Sequence, residues 1–304
     1  MGTVRGFLAE VRVLPMSLLL MTVVLGGLLG VGTNVDWNVM GLVLVNAFCY
    51  LYVAHLNDTL FDYYYKGEYE PGRTLHNVRL NGRYYLARYG FGTEVPNAPI
   101  LPKGYYLAAM AAFSAIGFAV MVYVSTVVGW AYSALAIAGL VLALTYSAGV
   151  DRLPVVGDLY WQAGVVFALF CGYYSQTRVV DANIAIMSVP LFIALLSVKM
   201  LDALPDVVVD DMNNKRTIPV LLYRRGLSIG TIRHVSFVPA YVAFSMLAVA
   251  APPRIAEGAL VALAGIATVH VGLHRTDPEG RISITATGAV IGAFVLYSIL
   301  SFYI

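Results

Sequence analysis

Apolar residues in this chain come in long runs separated by short polar gaps, with no sustained alternation of apolar and polar positions. A helix needs about 20 mostly apolar residues to cross the hydrocarbon core of a bilayer. Nine segments meet that length: 15–34, 38–65, 103–124, 126–147, 155–176, 183–205, 230–251, 255–274 and 282–303. Inside lipid the backbone must satisfy its own hydrogen bonds, which a helix does and an open strand does not. The alternation that marks a membrane β-barrel is absent. The pattern predicts an all-α polytopic membrane protein, a single domain over 1–304. The third and fourth segments adjoin at Ser125 with almost no linker.

Charge supplies an orientation. With the N-terminus in the cytoplasm, sixteen lysines and arginines fall on the inner side, and only Arg178 and Arg254 on the outer. This asymmetry follows the positive-inside rule and independently supports nine crossings. The N-terminal run MGTVRGFLAEVRVLP lacks a small-residue cleavage signal, so the first apolar segment reads as a span. The long connections, 66–102 and 206–229, then face the cytoplasm. Long loops in a compact protein are usually functional or disordered, and these two are candidates to cap a site.

Composition agrees. The chain is 60% hydrophobic and 12% charged, against about 25% charged for an average soluble domain. Cys49 and Cys171 lie in apolar runs and read as small buried hydrophobes. The five histidines show no zinc-ligand spacing. Nothing in the chain suggests nucleic acid as a partner.

Two acidic clusters change the picture from a generic membrane protein to a candidate enzyme. The second segment runs into HLNDTLFDYYYKGEYE (55–70), and the sixth into KMLDALPDVVVDDMNNKRTIPVLL (199–222). Asp58 and Asp62 are four residues apart, as are Asp202 and Asp206, with Asp210 four further on. On a helix such a spacing puts two carboxylates on one face. Both pairs stand at the inner end of their span. Carboxylates so close repel each other without a cation, and hard oxygen donors of this kind suit Mg²⁺ held jointly with phosphate oxygens. Asp211 reads as a solvated loop residue. Lys199, one turn before Asp202 inside a span, is expected to pair with a carboxylate or a bound phosphate.

At these residues the chain resembles the UbiA superfamily of intramembrane aromatic prenyltransferases. That family carries N-x-x-x-D-x-x-x-D near its second helix and D-x-x-x-D near its sixth. Asp58 and Asp62 match the first motif, with Ala54 at the asparagine position and Asn57 as a substitute ligand. Asp202 and Asp206 complete the second. Its extension, LPDVVVDDMNNKRTIPVLL, is similar to the MenA-like branch, although Asn214 stands where that pattern has glycine. NAPILPKGYYLAA (97–109) and TYSAGVDRLP (145–154) resemble two connecting segments of the family, the latter keeping Tyr146, Ser147 and Arg152 but with Pro154 for a lysine.

The resemblance implies nine helices around a central, lipid-open cavity. It implies Mg²⁺-dependent transfer of a prenyl group from a prenyl diphosphate, such as geranylgeranyl diphosphate, to a lipid-soluble acceptor. Asp58, Asp62, Asp202 and Asp206, with Asn57 and Asp210, would hold the metal. Lys103, Arg73, Arg152 and Lys199 would hold the diphosphate. Tyr146 would face the allylic cation with its ring. The acceptor is open among a dihydroxynaphthoate, a hydroxybenzoate and an archaeal-type glyceryl phosphate ether. Other classes are a cation-coupled secondary transporter, which would show paired repeats and broken helices near the midplane, and a lipid-binding scaffold, which has no use for converging carboxylates.

Overall fold

Apolar segments surrounded by lipid must fold as helices, and the computed structural model of the chain is helical throughout the residues it describes: 13–64, 102–150, 153–205, 207–212, 215–273 and 281–303. The helices are α1 (Val13–Val31), α2 (Trp37–Tyr64), α3 (Lys103–Val128), α4 (Ala131–Ser147), α5 (Val156–Thr177) and α6 (Ala182–Ala203). The short α7 (Val207–Met212) and α8 (Ile218–Arg224) follow, then α9 (Ile229–Ser236), α10 (Val238–Ala250), α11 (Pro253–Gly272) and α12 (Arg281–Leu300). Among the described residues there is no strand.

Each expected segment overlaps a helix, the seventh being shared between α9 and α10 across Phe237. Among the described residues, six helical stretches are long and apolar enough to cross a membrane by length and composition, and α1 and α4 hold shorter apolar stretches. The outer surface confirms what the solvent is. Val249, Val261 and Val271 are 89%, 73% and 75% exposed, whereas such side chains are usually buried where water is the solvent. α5 is the more polar exception, with Asp158 and Gln162 fully buried on it. It packs on α1, α4 and α6, so its polar positions face protein.

Three details differ from the expected layout. The joint after the third segment is not at Ser125: α3 runs to Val128, and the chain turns at Gly129, whose φ of +115° suits glycine. The connection 206–229 is not a loop but carries α7 and α8. The sixth segment ends early, at Ala203, and Leu204 and Pro205 form a turn. Proline has no N–H to continue a helix. Asp202 thus lies in the last turn of α6, which ends before position 206, while Asp58 and Asp62 share α2.

Two cores share α1 and α5. One joins them to α6 and α10–α12 through residues such as Leu25, Leu169, Leu195, Phe244 and Ile291. The other joins them to α2–α4 through Val23, Met40, Met121 and Tyr132. α1 and α5 touch backbone to backbone: a Cβ on Gly26 would overlap the Leu169 carbonyl, and one on Gly172 the Val23 carbonyl. Small residues permit such approach between membrane helices. Just before this contact, the N-terminal part of α1, from Ser17 to Met21, lines a cavity.

Candidate active site

That cavity has a volume of about 460 Å³, within the roughly 300–1,000 Å³ usual for small-molecule sites. α1, α2, α4, α5, α6 and α12 form its walls. Along α2 one helical stripe faces it: Asn46, Tyr50, Ala54 and Asp58, each four residues from the last. Along α4 the lining runs from Tyr132 through Ala136, Gly139 and Ala143 to Tyr146. The small residues on α4 leave the cavity its width.

Asp58 and Asp202, from the two acidic clusters, line the same end, which we call the mouth. Lys199 joins them, its Nζ 3.7 Å from an Asp202 oxygen and 5.4 Å from the centroid of the Tyr146 ring. The sequence expectation for Lys199, a carboxylate partner inside a span, holds. One face of Tyr146 already bears an ammonium at cation–π distance. His55 and Tyr160 also line the cavity, and the Tyr160 hydroxyl accepts from Thr145 Oγ1 at 3.2 Å.

The other expected residues divide. Asp62 follows Asp58 by one turn on α2. Asn57 is buried and donates its amide nitrogen to the Leu144 carbonyl at 3.1 Å, tying α2 to α4. Asp210 is outside the cavity lining and pairs with Lys215 at 3.4 Å. Lys103 begins α3 with its Nζ 5.6 Å from the ring of Tyr64, the last residue of α2, also outside the lining. Asp206, Arg73 and Arg152 lie outside the described residues. Asp211 is not simply solvated, since it forms an ion pair with Arg224 of α8.

Asp158 is a functional candidate that the paired-carboxylate pattern passes over. It is fully buried in the first turn of α5, and its Oδ2 accepts from the Ile218 amide at the start of α8. Its Oδ1 has no hydrogen-bond partner among the described residues. The Val155 amide donates to the Arg216 carbonyl at 3.4 Å, and Val155 has a φ of +64°. A β-branched residue in that region is strained. The start of α5 thus grips the segment leading out of the second acidic cluster at two points. Lys199 interacts electrostatically with Asp158 as well as with Asp202. A lone acid within a span is itself a functional signal, and it was the one available.

The donor chemistry suits magnesium. Among the described residues no three His, Cys, Asp or Glu side chains converge to hold a metal, whereas two carboxylates reach one cavity mouth. Mg²⁺ is commonly held by one or two carboxylates with the rest of its shell from substrate phosphates and water. The cavity therefore suits a ligand with a strongly anionic head and a long apolar body.

Several solved structures share the fold, three of them as follows. A digeranylgeranylglyceryl phosphate synthase superposes with a TM-score of 0.65 at 10% identity, covering 99% of this chain and 98% of its own. A UbiA homolog from Aeropyrum pernix K1 gives 0.65 at 17% identity over 93% and 97%. A UbiA homolog from Archaeoglobus fulgidus bound to DMAPP and Mg²⁺ gives 0.64 at 14% identity over 97% and 99%. No curated protein matches this chain. A sequence model of the UbiA prenyltransferase family matches residues 95–300, a stretch that takes in α3 to α12 and most of the cavity wall. This multi-pass membrane protein belongs to the UbiA prenyltransferase family.

Proposed function

We propose that the chain transfers a prenyl group from a prenyl diphosphate to a lipid-soluble acceptor, with Mg²⁺ and the diphosphate at the mouth and the tail along the apolar wall. One observation carries this: a single cavity with carboxylates from two separate clusters at one end and an apolar body below. The bound donors of a structural relative support it, since the Archaeoglobus fulgidus homolog holds DMAPP and Mg²⁺.

Asp58 and Asp202 would hold the metal, joined by Asp62 and Asp206, with Asn57 and Asp210 as outer candidates. Mg²⁺, when bound, offsets the charge that develops on the diphosphate as the allylic carbon–oxygen bond breaks. Lys199 acts as a point charge toward the diphosphate and holds Asp202 in place. Arg73, Lys103 and Arg152 are further candidates for the diphosphate, each drawn from the same end of the chain's spans. The Tyr146 ring faces the allylic cation. The apolar walls keep water from capturing that cation before the acceptor does.

The charge asymmetry favours nine crossings, a cytoplasmic N-terminus and a cytoplasmic mouth, capped by 66–102 and by α7 and α8. The similarity of 204–222 to the MenA-like pattern favours a dihydroxynaphthoate acceptor and quinone biosynthesis. The fold likeness to a digeranylgeranylglyceryl phosphate synthase keeps a glyceryl phosphate ether as the second reading.

The test is incubation of purified protein with radiolabelled geranylgeranyl diphosphate, Mg²⁺ and each acceptor, with Asp58→Ala and Asp206→Ala beside the wild type. Transfer to one acceptor, lost in both variants, is expected. Undiminished transfer in both would overturn the site. Solute movement across sealed vesicles without diphosphate release would support a transporter instead.

A further inference from the structure

The cavity has two polar ends, and the far one is built differently from the mouth. There Asn46, 2% exposed in the middle of α2, is held on both sides. Its amide nitrogen donates to the Gly117 carbonyl of α3 at 2.8 Å, and its oxygen accepts from the Tyr132 hydroxyl of α4 at 2.9 Å. One turn along α2, the Tyr50 hydroxyl points to the Met121 sulfur at 3.3 Å. Gly117 has to be glycine for this, because a Cβ there would press on the Tyr50 ring at 2.7 Å. Asn46, Tyr50 and Tyr132 line the cavity. They form a floor of neutral groups, with Asn46 bonded to Tyr132 and to the Gly117 backbone and Tyr50 to Met121.

Floor and mouth are separated by a length that two helices measure independently. From Asn46 to Asp58 on α2 is twelve residues, about 18 Å at 1.5 Å per residue, and from Tyr132 to Tyr146 on α4 is fourteen, about 21 Å. An isoprene unit adds four carbon–carbon bonds, about 5 Å when extended, by analogy with the roughly 3.5 Å spanned by three backbone bonds. The space between the ends holds about four units.

We infer that the Asn46–Tyr132 floor limits the part of the donor tail held inside the cavity to about four isoprene units, so that geranylgeranyl diphosphate is the longest donor that fits without leaving it. This rests on the donor reading above. A tail of six or more units must break the floor's hydrogen bonds, stranding buried polar groups, or bend out between helices into lipid, where the further units gain no contact with the cavity wall. A tail of two units leaves the apolar wall near the floor unfilled.

The test is equilibrium binding, which needs no acceptor. Purified protein in detergent with Mg²⁺ is titrated with prenyl thiolodiphosphates of two, three, four, six and nine isoprene units, whose sulfur bridge resists cleavage. Affinity is expected to rise with each unit to four and to change by less than about twofold at six and nine. Ala136→Phe raises the floor by one turn of α4, about 6 Å, and should lower the ratio of four-unit to two-unit affinity at least tenfold. Ala47→Phe on α2 is the second variant should the first fail to fold. Tyr132→Ala opens the floor and should make the six-unit donor bind several-fold more tightly than the four-unit one. Affinity that keeps rising beyond four units, or ratios unchanged in folded variants, would overturn the length limit while leaving the donor assignment standing. Binding of no donor at any length would instead remove the donor assignment, and the limit with it.

Discussion

Both ends of the cavity are polar, and the difference between them lies in what their groups are bonded to. At the floor, Asn46 and Tyr132 are neutral and satisfy each other and a backbone carbonyl. A satisfied polar cluster in a low-dielectric interior is a stiff structural element. At the mouth the groups are ionic and come from different elements: Asp58 from α2, and Lys199 and Asp202 from α6. Collecting charge in apolar surroundings is costly and is sustained where a charged ligand uses it. The floor bounds the cavity, and the mouth is what the cavity is for.

On that division, substitutions at the mouth should cost transfer and leave stability nearly intact, and those at the floor should cost stability and change the preferred donor length. The largest effect is expected at the carboxylates. Asp58→Ala or Asp202→Ala should lower transfer by at least about 10²–10³-fold, the scale of losing one electrostatic stabiliser in an active site. The melting temperature in detergent should shift by only a few degrees. A melt that collapses alongside activity would place these residues in the scaffold instead.

Lys199 should come next. It supports Asp202 at 3.7 Å, and outer partners of metal ligands are typically worth about 10–100-fold in metal affinity or activity. Lys199→Met should raise the KM for the donor more than it lowers kcat, and should shift the Mg²⁺ concentration for half-maximal rate upward. A change in kcat alone would argue that Lys199 serves another step.

Asp158 stands between the two classes, for it belongs to neither end yet grips the segment behind the mouth. Asp158→Leu leaves the Ile218 amide without its acceptor, a loss of about 1–3 kcal/mol, and loosens 215–218. The expected signs are a lower melting temperature and faster tryptic cleavage after Lys215 and Arg216. Asp158→Asn retains an acceptor oxygen and should recover most of both. Equal behaviour of the two variants would show that the bond to α8 is immaterial.

How much of this was legible in the sequence follows from which interactions are local. Lipid imposes one rule on long apolar runs, so the helical segments and the acidic ends of α2 and α6 can be read directly. The break between Asp202 and Asp206 was hidden by a spacing that mimics a helix, although Pro205 was the cue that α6 could not continue. Asp158 escaped a search for paired acids because its partner, the Ile218 amide, is sixty residues away. α5 is more polar than its neighbours because protein surrounds it, which hydropathy along one chain cannot express. The floor shows the same limit: Asn46 is visible as a polar residue inside a span, but Tyr132, 86 residues later, becomes its partner only when α2 and α4 meet.

The smallest expected effect, at Tyr132, tests the comparison most closely. Tyr132→Phe keeps the ring and removes one hydroxyl, so it deletes a single hydrogen bond. Side-chain hydrogen bonds within membrane proteins average about 0.6 kcal/mol in double-mutant cycles, and the Asn46 oxygen left facing an apolar ring adds part of a desolvation cost. The loss should be about 0.5–1.5 kcal/mol, measured as a small downward shift of the thermal melt. Asn46→Leu should cost more, since both Tyr132 and the Gly117 carbonyl lose a partner. In the double variant the hydroxyl and the carboxamide are both gone, and replacing both members of a buried pair is far cheaper than removing one. The two losses should therefore fall short of additive by a few tenths of a kcal/mol to about 1 kcal/mol. Strict additivity would mean that Asn46 and Tyr132 act separately, and the cavity floor would then be two side chains rather than one bonded unit.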